Sequence, residues 1–425
     1  MSLDRHAWLL AATLLAAPAF AESPRSAIFL HPDGMGANTW AAVRLQEVGP
    51  DGRLAWDQLP RLAIYVGPML DSVNASSNGG ATTHAYGIRA ALDSFGSLDG
   101  GVNPPVAASG KKLSVMHEAQ QAGKAIAIVN SSTITEPGTA AFLVSVEDRD
   151  NDDEIAALLL AAKPDIMLGG GEQFFLPEGS EGVHGPGVRT DGRNLVEEAR
   201  EAGYSVVHTR EELAALPTST LRVLGLFAAD HTFNEYDEAT LKAKGLPPFQ
   251  PQAPRFDEMV AAALARLRSA PKGYLLVGNE EGTDNLSGEN NTPAVLEAAA
   301  GADRAIALAL AEARRNPALT VVVASDSDNG GMNATGDDLD ELPRPLPERT
   351  ENGSPLDSDN GEPYLSAPDA RGIRQPYYIT WASNSDSGGA TVARGIGPGA
   401  AVIEGTIDSK AIYTALYLGL FGKHP

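Results

Sequence analysis

Residues 274–285 read YLLVGNEEGTDN, an apolar run over 274–277 that passes directly into Glu280, Glu281 and Asp284. A short, unbroken apolar run bounded by turn residues is the pattern of a strand buried on both faces. A helical pattern over 256–269 precedes it. The same unit recurs along the chain. AIFL at 27–30 is followed by a Gly-containing turn and a helix over 37–45. A helix over 113–121 leads into AIAIV at 125–129, and one over 152–162 leads into IMLGGG at 166–171. A helix over 292–315 leads into LTVVVAS at 319–325, and a last helix begins near residue 408. Strands alternating with helices in this way predict βαβ units. The expected fold is α/β, a mostly parallel central sheet flanked by helices on both faces.

In open parallel sheets, ligands gather beyond the carboxyl ends of the strands. Four turns expected at such ends carry acids. HPDGMG (31–36) holds Asp33, with glycines that let the backbone approach an ion or phosphate. GNEEGTDN (278–285) holds Glu280, Glu281 and Asp284; SDSDNGG (325–331) holds Asp326 and Asp328. NSDSGG (384–389), placed after a strand over 377–381, holds Asp386. Carboxylates converging from four turns repel one another unless cations neutralise them, and divalent metals do so most directly.

Composition narrows the function further. The chain of 425 residues has 32 Lys+Arg against 55 Asp+Glu, a formal charge of -23, which opposes any broad contact with nucleic-acid phosphates or anionic lipid. With 44 Gly and 29 Pro, 43% hydrophobic and 20% charged residues, it reads as a loop-rich globular protein. Arg5 precedes an apolar run over 7–17 and a small-x-small end at Ala19-Phe20-Ala21, the pattern of a secretory signal over 1–21. The run is too short to span a membrane, and no later stretch is long enough. Cysteine is absent, which excludes disulfides and thiolate metal sites and suits a bacterial periplasm or the medium. Residues 22–425 are expected to form one α/β domain with loop insertions: 174–193, and the acidic, Pro/Gly-rich 333–376, which resists regular assignment and suits an insertion or lid.

In their order and spacing, these segments resemble the alkaline phosphatase family from about residue 26 to 423. HPDGMG is similar to the family's first-strand motif, whose aspartate, here Asp33, bridges two metals. SSNGGATTHAYG (76–87) resembles the segment with the phosphorylated serine, and its ATxxxxG end puts that serine at Ser77. Ser72 is the rival nucleophile, in a poorer context. TEPGTAAF (135–142) and EDR (147–149) resemble the stretch with a magnesium ligand and a phosphate-gripping arginine, here Arg149. PDIMLGGG (164–171), GLFAAD (225–230), EEGTD (280–284), SDSD (325–328) and GIGPGA (395–400) continue the match.

The resemblance implies phosphoryl transfer through a covalent phosphoserine. Ser77 would attack phosphorus, assisted by metals that favour its alkoxide and stabilise the leaving oxygen, while Arg149 would grip two phosphate oxygens. The metal set implied is Asp33, Ser77, Glu136, Glu280, Asp284, Asp326, Asp328 and Asp386. The departures concern zinc. The family's three zinc histidines fall on Ser327, Gly288 and Asp386; its magnesium glutamate falls on Asn279 and its threonine on Gly138 or Thr139. Glu280, one residue along, and Glu136 are the expected substitutes, and His84 is expected to be a packed ring. An all-oxygen set suits Ca²⁺ or Mg²⁺ better than Zn²⁺. The expectation is a secreted or periplasmic phosphomonoesterase acting on a small phosphate ester, with oligomeric state open. Its rivals are a phosphodiesterase of the same superfamily and a non-catalytic phosphate or cation binder.

Overall fold

The computed structural model describes residues 24–337, 339–389 and 391–425. The expected signal over 1–21 lies outside them. Eight strands open the chain: β1 Ser26–Pro32, β2 Arg61–Val66, β3 Ala125–Thr133, β4 Ile166–Gly170, β5 Ser205–Val207, β6 Val223–Leu226, β7 Tyr274–Glu280 and β8 Leu319–Val323. With Val392–Ile396 and Glu404–Asp408 they form one ten-stranded sheet. Its centre runs β8-β1-β7-β3-β4-β6-β5, all parallel; Val392–Ile396 pairs antiparallel with both β8 and β2. The expected α/β architecture with a mostly parallel sheet is therefore present.

Burial follows the strand period of two. In β1, Ile28 and Leu30 enter the core under the helices Ala37–Val48, Phe256–Leu267 and Thr292–Arg315. Ala27 and Phe29 enter the opposite core, under Ser77–Tyr86, Val115–Gln121, Asp152–Ala162 and Ala411–Phe421. Every residue of β1, β3, β4, β7 and β8 is buried, which is why these strands read as continuous apolar runs. By contrast, β2 alternates toward the outside and exposes Leu62, Ile64 and Val66, so its sequence lacks that signature.

The segment over 333–376 is more ordered than its composition suggests. Asn333–Thr335, Leu356–Asp357 and Tyr364–Leu365 pair antiparallel with Pro376–Thr380, and Leu339, Leu346 and Leu356 make a small core of their own. The strand expected over 377–381 therefore belongs to this second sheet and not to the central one.

Candidate active site

Register sets three strand ends at one level: Pro32 pairs with Glu280, and Leu30 with Val323. The turns after β1, β7 and β8 consequently open side by side at the carboxyl edge. Asp33 is buried there; its Oδ1 accepts the Gly34 N–H at 3.0 Å, and its Oδ2 has no hydrogen-bond partner. Gly34 sits at φ +62°, and a Cβ on it would overlap the Asp284 carboxylate; a Cβ on Gly36 would overlap that of Asp328. The glycines of HPDGMG thus admit two neighbouring carboxylates to the Asp33 turn.

Ser77 begins the helix Ser77–Tyr86, capped by Ser76, whose Oγ accepts the Gly79 N–H at 3.5 Å. Ser77 is buried, and its hydroxyl makes no hydrogen bond to a described residue. One turn on, Gly80 faces the same way, and a Cβ there would overlap the Asp326 carboxylate. That missing side chain lets the start of the helix close onto the acids. Ser72 instead lies in the preceding loop, half-buried and turned to Asn74 at 3.3 Å.

Both carboxylate oxygens of Asp326 are buried without a hydrogen bond. His31 Nε2 lies 3.6 Å from Asp326 Oδ1 and 3.6 Å from Asp33 Oδ1, and accepts the Asp326 N–H at 3.2 Å. Asp284, in the helix Gly282–Gly288, accepts Asn329 Nδ2 at 2.9 Å. Asp386 accepts the Ser327 hydroxyl at 2.6 Å. It does not arrive from the end of a central strand: Asp386–Ser387 pairs with Asp328–Asn329 in a two-residue ladder after the small sheet. Asp328 packs between Gly36 and Gly389, with its Oδ1 buried and unpartnered.

The expected role of Glu280 does not fit its placement. It accepts Ser131 Oγ at 2.5 Å and the Gly282 N–H at 3.1 Å, and it lines a small hollow with Arg255 and Arg304, away from Asp33. Because β7 continues through residue 280, its alternation puts Asn279 and Glu281 on the other side. Asn279 Nδ2 donates to Glu281, and Asn279 fills the space a Cβ on Gly138 would occupy. The position expected for the family's glutamate, Asn279, thus meets Gly138, one of the two expected for its threonine. Thr139 is engaged elsewhere, accepting from Asn130 at 3.2 Å. Glu136 holds Arg149 Nη2 at 3.2 Å; burial opposes the guanidinium charge, but Glu136, Glu281, Asp150 and Asp284 outweigh it and keep the Arg149 pKa above its usual value.

Without cations these acids cannot all ionise. Burial first, then the charges of Asp326, Glu281 and Asp284, push Asp33 well above the carboxylate range. Burial, then Glu136 and Asp284, do the same to Glu281; burial, then Asp386, to Asp284. Burial, then Asp326, lifts Asp386 to about 6, and burial lifts Asp328 to about 6. Buried carboxylate oxygens without donors are rare in folded proteins. Here they include Asp33 Oδ2, both oxygens of Asp326 and Asp328 Oδ1, a donor set that fits hard divalent ions. His84 is not part of it. It packs against Phe29, His31 and Tyr65, shares a 2.8 Å hydrogen bond with Tyr65, and is held neutral by burial with its pKa down to about 3.

Glu281, Ser327 and Asn329 carry no local signal of their placement: the apolar run ends at 277, and only the strand's continuation to Glu280 shows which acid of the pair faces the site.

The family model for alkaline phosphatase matches residues 25–352. The chain is 28% identical over 347 residues to an alkaline phosphatase of Gadus morhua, covering 72% of this chain and 70% of that protein. It is 29% identical over 341 residues to a streptomycin-6-phosphate phosphatase of Streptomyces griseus, covering 71% and 73%. Among solved structures, Thermus thermophilus alkaline phosphatase superposes with a TM-score of 0.71 at 22% identity, over 99% of this chain and 97% of that one. The enzyme from the Antarctic bacterium TAB5 gives 0.69 at 16%, over 94% and 98%. Since the family match runs through the turns of Asp33, Ser77, Asp284 and Asp326, and the fold agrees, the chain belongs to the alkaline phosphatase family.

Proposed function

We propose that the protein is a phosphomonoesterase that hydrolyses small organic phosphate esters through a phosphoserine on Ser77. The observation that carries this reading is the set of unpartnered, buried carboxylate oxygens on Asp33, Asp326 and Asp328, with Asp326 packed against the helix that Ser77 begins. Alkaline phosphatases use divalent metals. In this chain Asp33, Asp284, Asp326 and Asp386 would hold them, with Asp328 beside them and Glu281 and Glu136 at the former magnesium position. Bound there, such ions would lower the pKa of the serine hydroxyl and offset charge on the leaving oxygen. Ca²⁺ or Mg²⁺ suits these oxygens better than Zn²⁺.

The chain's own residues do the rest. Ser77 Oγ forms the new bond to phosphorus as the bond to the leaving oxygen breaks, and water later releases phosphate from the serine. The unpaired N–H groups at the start of the helix favour the anionic phosphoryl group. The planar guanidinium of Arg149 holds two of its oxygens, and Glu136 aims it. The proposal includes export to the periplasm or medium, from the N-terminal pattern of residues 1–21.

The test is metal removal and return. A chelated protein should lose turnover of an aryl phosphate and regain it with Mg²⁺ or Ca²⁺, Zn²⁺ restoring less. Full activity in excess chelator overturns the proposal. Faster turnover of a diester than of a monoester with the same leaving group would favour the phosphodiesterase reading.

A further inference from the structure

Glu172 and His184, on one connection, meet His208, on the next, away from the Ser77 site. Glu172 follows β4 by two residues, His208 follows β5 directly, and His184 lies on the loop 174–193. One ligand atom from each lies within 4.8 Å of the others. Glu172 is 2% exposed and His208 8%. His208 Nδ1 is buried 3.0 Å from Glu172 Oε1, yet makes no hydrogen bond. Two ligands of one tetrahedral zinc stand roughly 3.3 Å apart, from metal–ligand lengths of about 2.0–2.1 Å.

The surroundings orient these groups as ligands. His184 Nε2 lies 2.9 Å from the His208 carbonyl and 3.1 Å from that of Leu226. Carbonyls only accept, so Nε2 carries the proton and Nδ1 keeps its lone pair. A metal-binding histidine is held in this way by an outer hydrogen bond. The backbone N–H groups of Val183 and His184 donate to Glu172 at 3.1 and 2.6 Å, which fixes the carboxylate and leaves it further lone pairs. His184 also lines a cavity of about 620 Å³.

We propose that Glu172, His184 and His208 bind one transition-metal ion of the Zn²⁺ type, independently of the ions at the Ser77 site. Two imidazole nitrogens and one carboxylate suit zinc and leave a fourth position open, whereas Ca²⁺ and Mg²⁺ prefer oxygen. The ion would clamp the loop carrying His184 to the turn after β5.

The experiment equilibrates the full chain with micromolar Zn²⁺ in millimolar Mg²⁺, dialyses it and measures bound zinc. About one zinc per chain is expected to remain, and Co²⁺ in its place should give the visible bands of a tetrahedral site. H184A and H208A should lose the ion while keeping aryl phosphate turnover in Mg²⁺ within about twofold; D326N should retain it. Should H208A fail to fold, H184A and the Co²⁺ spectrum of the unmodified protein decide. Absence of zinc from the unmodified protein, or zinc retained in H184A, overturns the assignment, as does zinc lost in D326N but kept in H208A.

Discussion

At the ends of β1, β7 and β8 the possible ligand atoms are mainly carboxylate oxygens, with His31 Nε2 3.6 Å from Asp33 and Asp326 and accepting the Asp326 N–H. At the ends of β4 and β5 they are one carboxylate and two imidazoles. The two clusters solve burial in opposite ways. In the first, burial and neighbouring acids raise Asp33, Asp284 and Asp386, while His31 outweighs burial and holds Asp326 down to about 2; oxygens of Asp33 and Asp326 are left without donors. In the second, burial pushes Glu172 up, but His208 beside it and the N–H groups of His184 and Val183 outweigh burial and hold it below the usual range. The first is a cluster of acids that needs added positive charge; the second sets one carboxylate beside two ring nitrogens. Donor chemistry, more than position on the sheet, distinguishes the two clusters.

The sharpest break between them is expected at Ser77. Ser77→Ala should cut phosphate-ester turnover by about 10³-fold or more, since loss of a covalent nucleophile leaves only binding and electrostatics. Circular dichroism and zinc content should be unchanged. Turnover within tenfold of the unmodified protein, with Ser72→Ala inactive, would move the nucleophile.

Gly80→Ala probes the packing of the acid-rich site alone. Its new methyl would overlap the Asp326 carboxylate, and overpacking of this kind costs about 1–3 kcal/mol. A matching loss of kcat, on the order of tenfold to a hundredfold, is expected. A normal rate in a fully folded variant would mean that Asp326 does not need its present place.

Arg149→Lys should raise the inhibition constant for inorganic phosphate by roughly tenfold, because a point charge replaces a two-pronged donor. Unchanged phosphate inhibition would assign the anion to another group.

The smallest effect concerns Asp152, between the two regions, where Glu136 and Asp230 both act on it. Burial, chiefly, raises its pKa to about 6 against a hydrogen bond from Thr135. A carboxyl raised in the folded state stabilises below its unfolded value, and that stability is lost as pH rises from about 4 through 6. Asp152→Asn should therefore add about 1–3 kcal/mol at pH 7 and little at pH 4, read from denaturant midpoints. Equal effects at both pH values would remove titration as the cause.

The sequence by itself determined the sheet's centre and the strand-end acids. Strands buried on both faces must be uniformly apolar, so β1, β3, β4, β7 and β8 announce themselves; the helices Asp152–Ala162 and Thr292–Arg315 were legible to the residue. Asp33, Asp284 and Asp326 followed because a turn after such a strand has few other reasons to carry buried acids. Tertiary structure decided what depends on direction and on distant partners. Glu281 and not Glu280 faces the acids because β7 keeps its alternation past residue 277. Asp386 arrives on a two-residue ladder with Asp328–Asn329, too short to leave a periodic signal. Glu172 and His184 lie on the connection after β4 and His208 on the one after β5, and no local spacing marks residues that only the stacking of β4, β6 and β5 brings together.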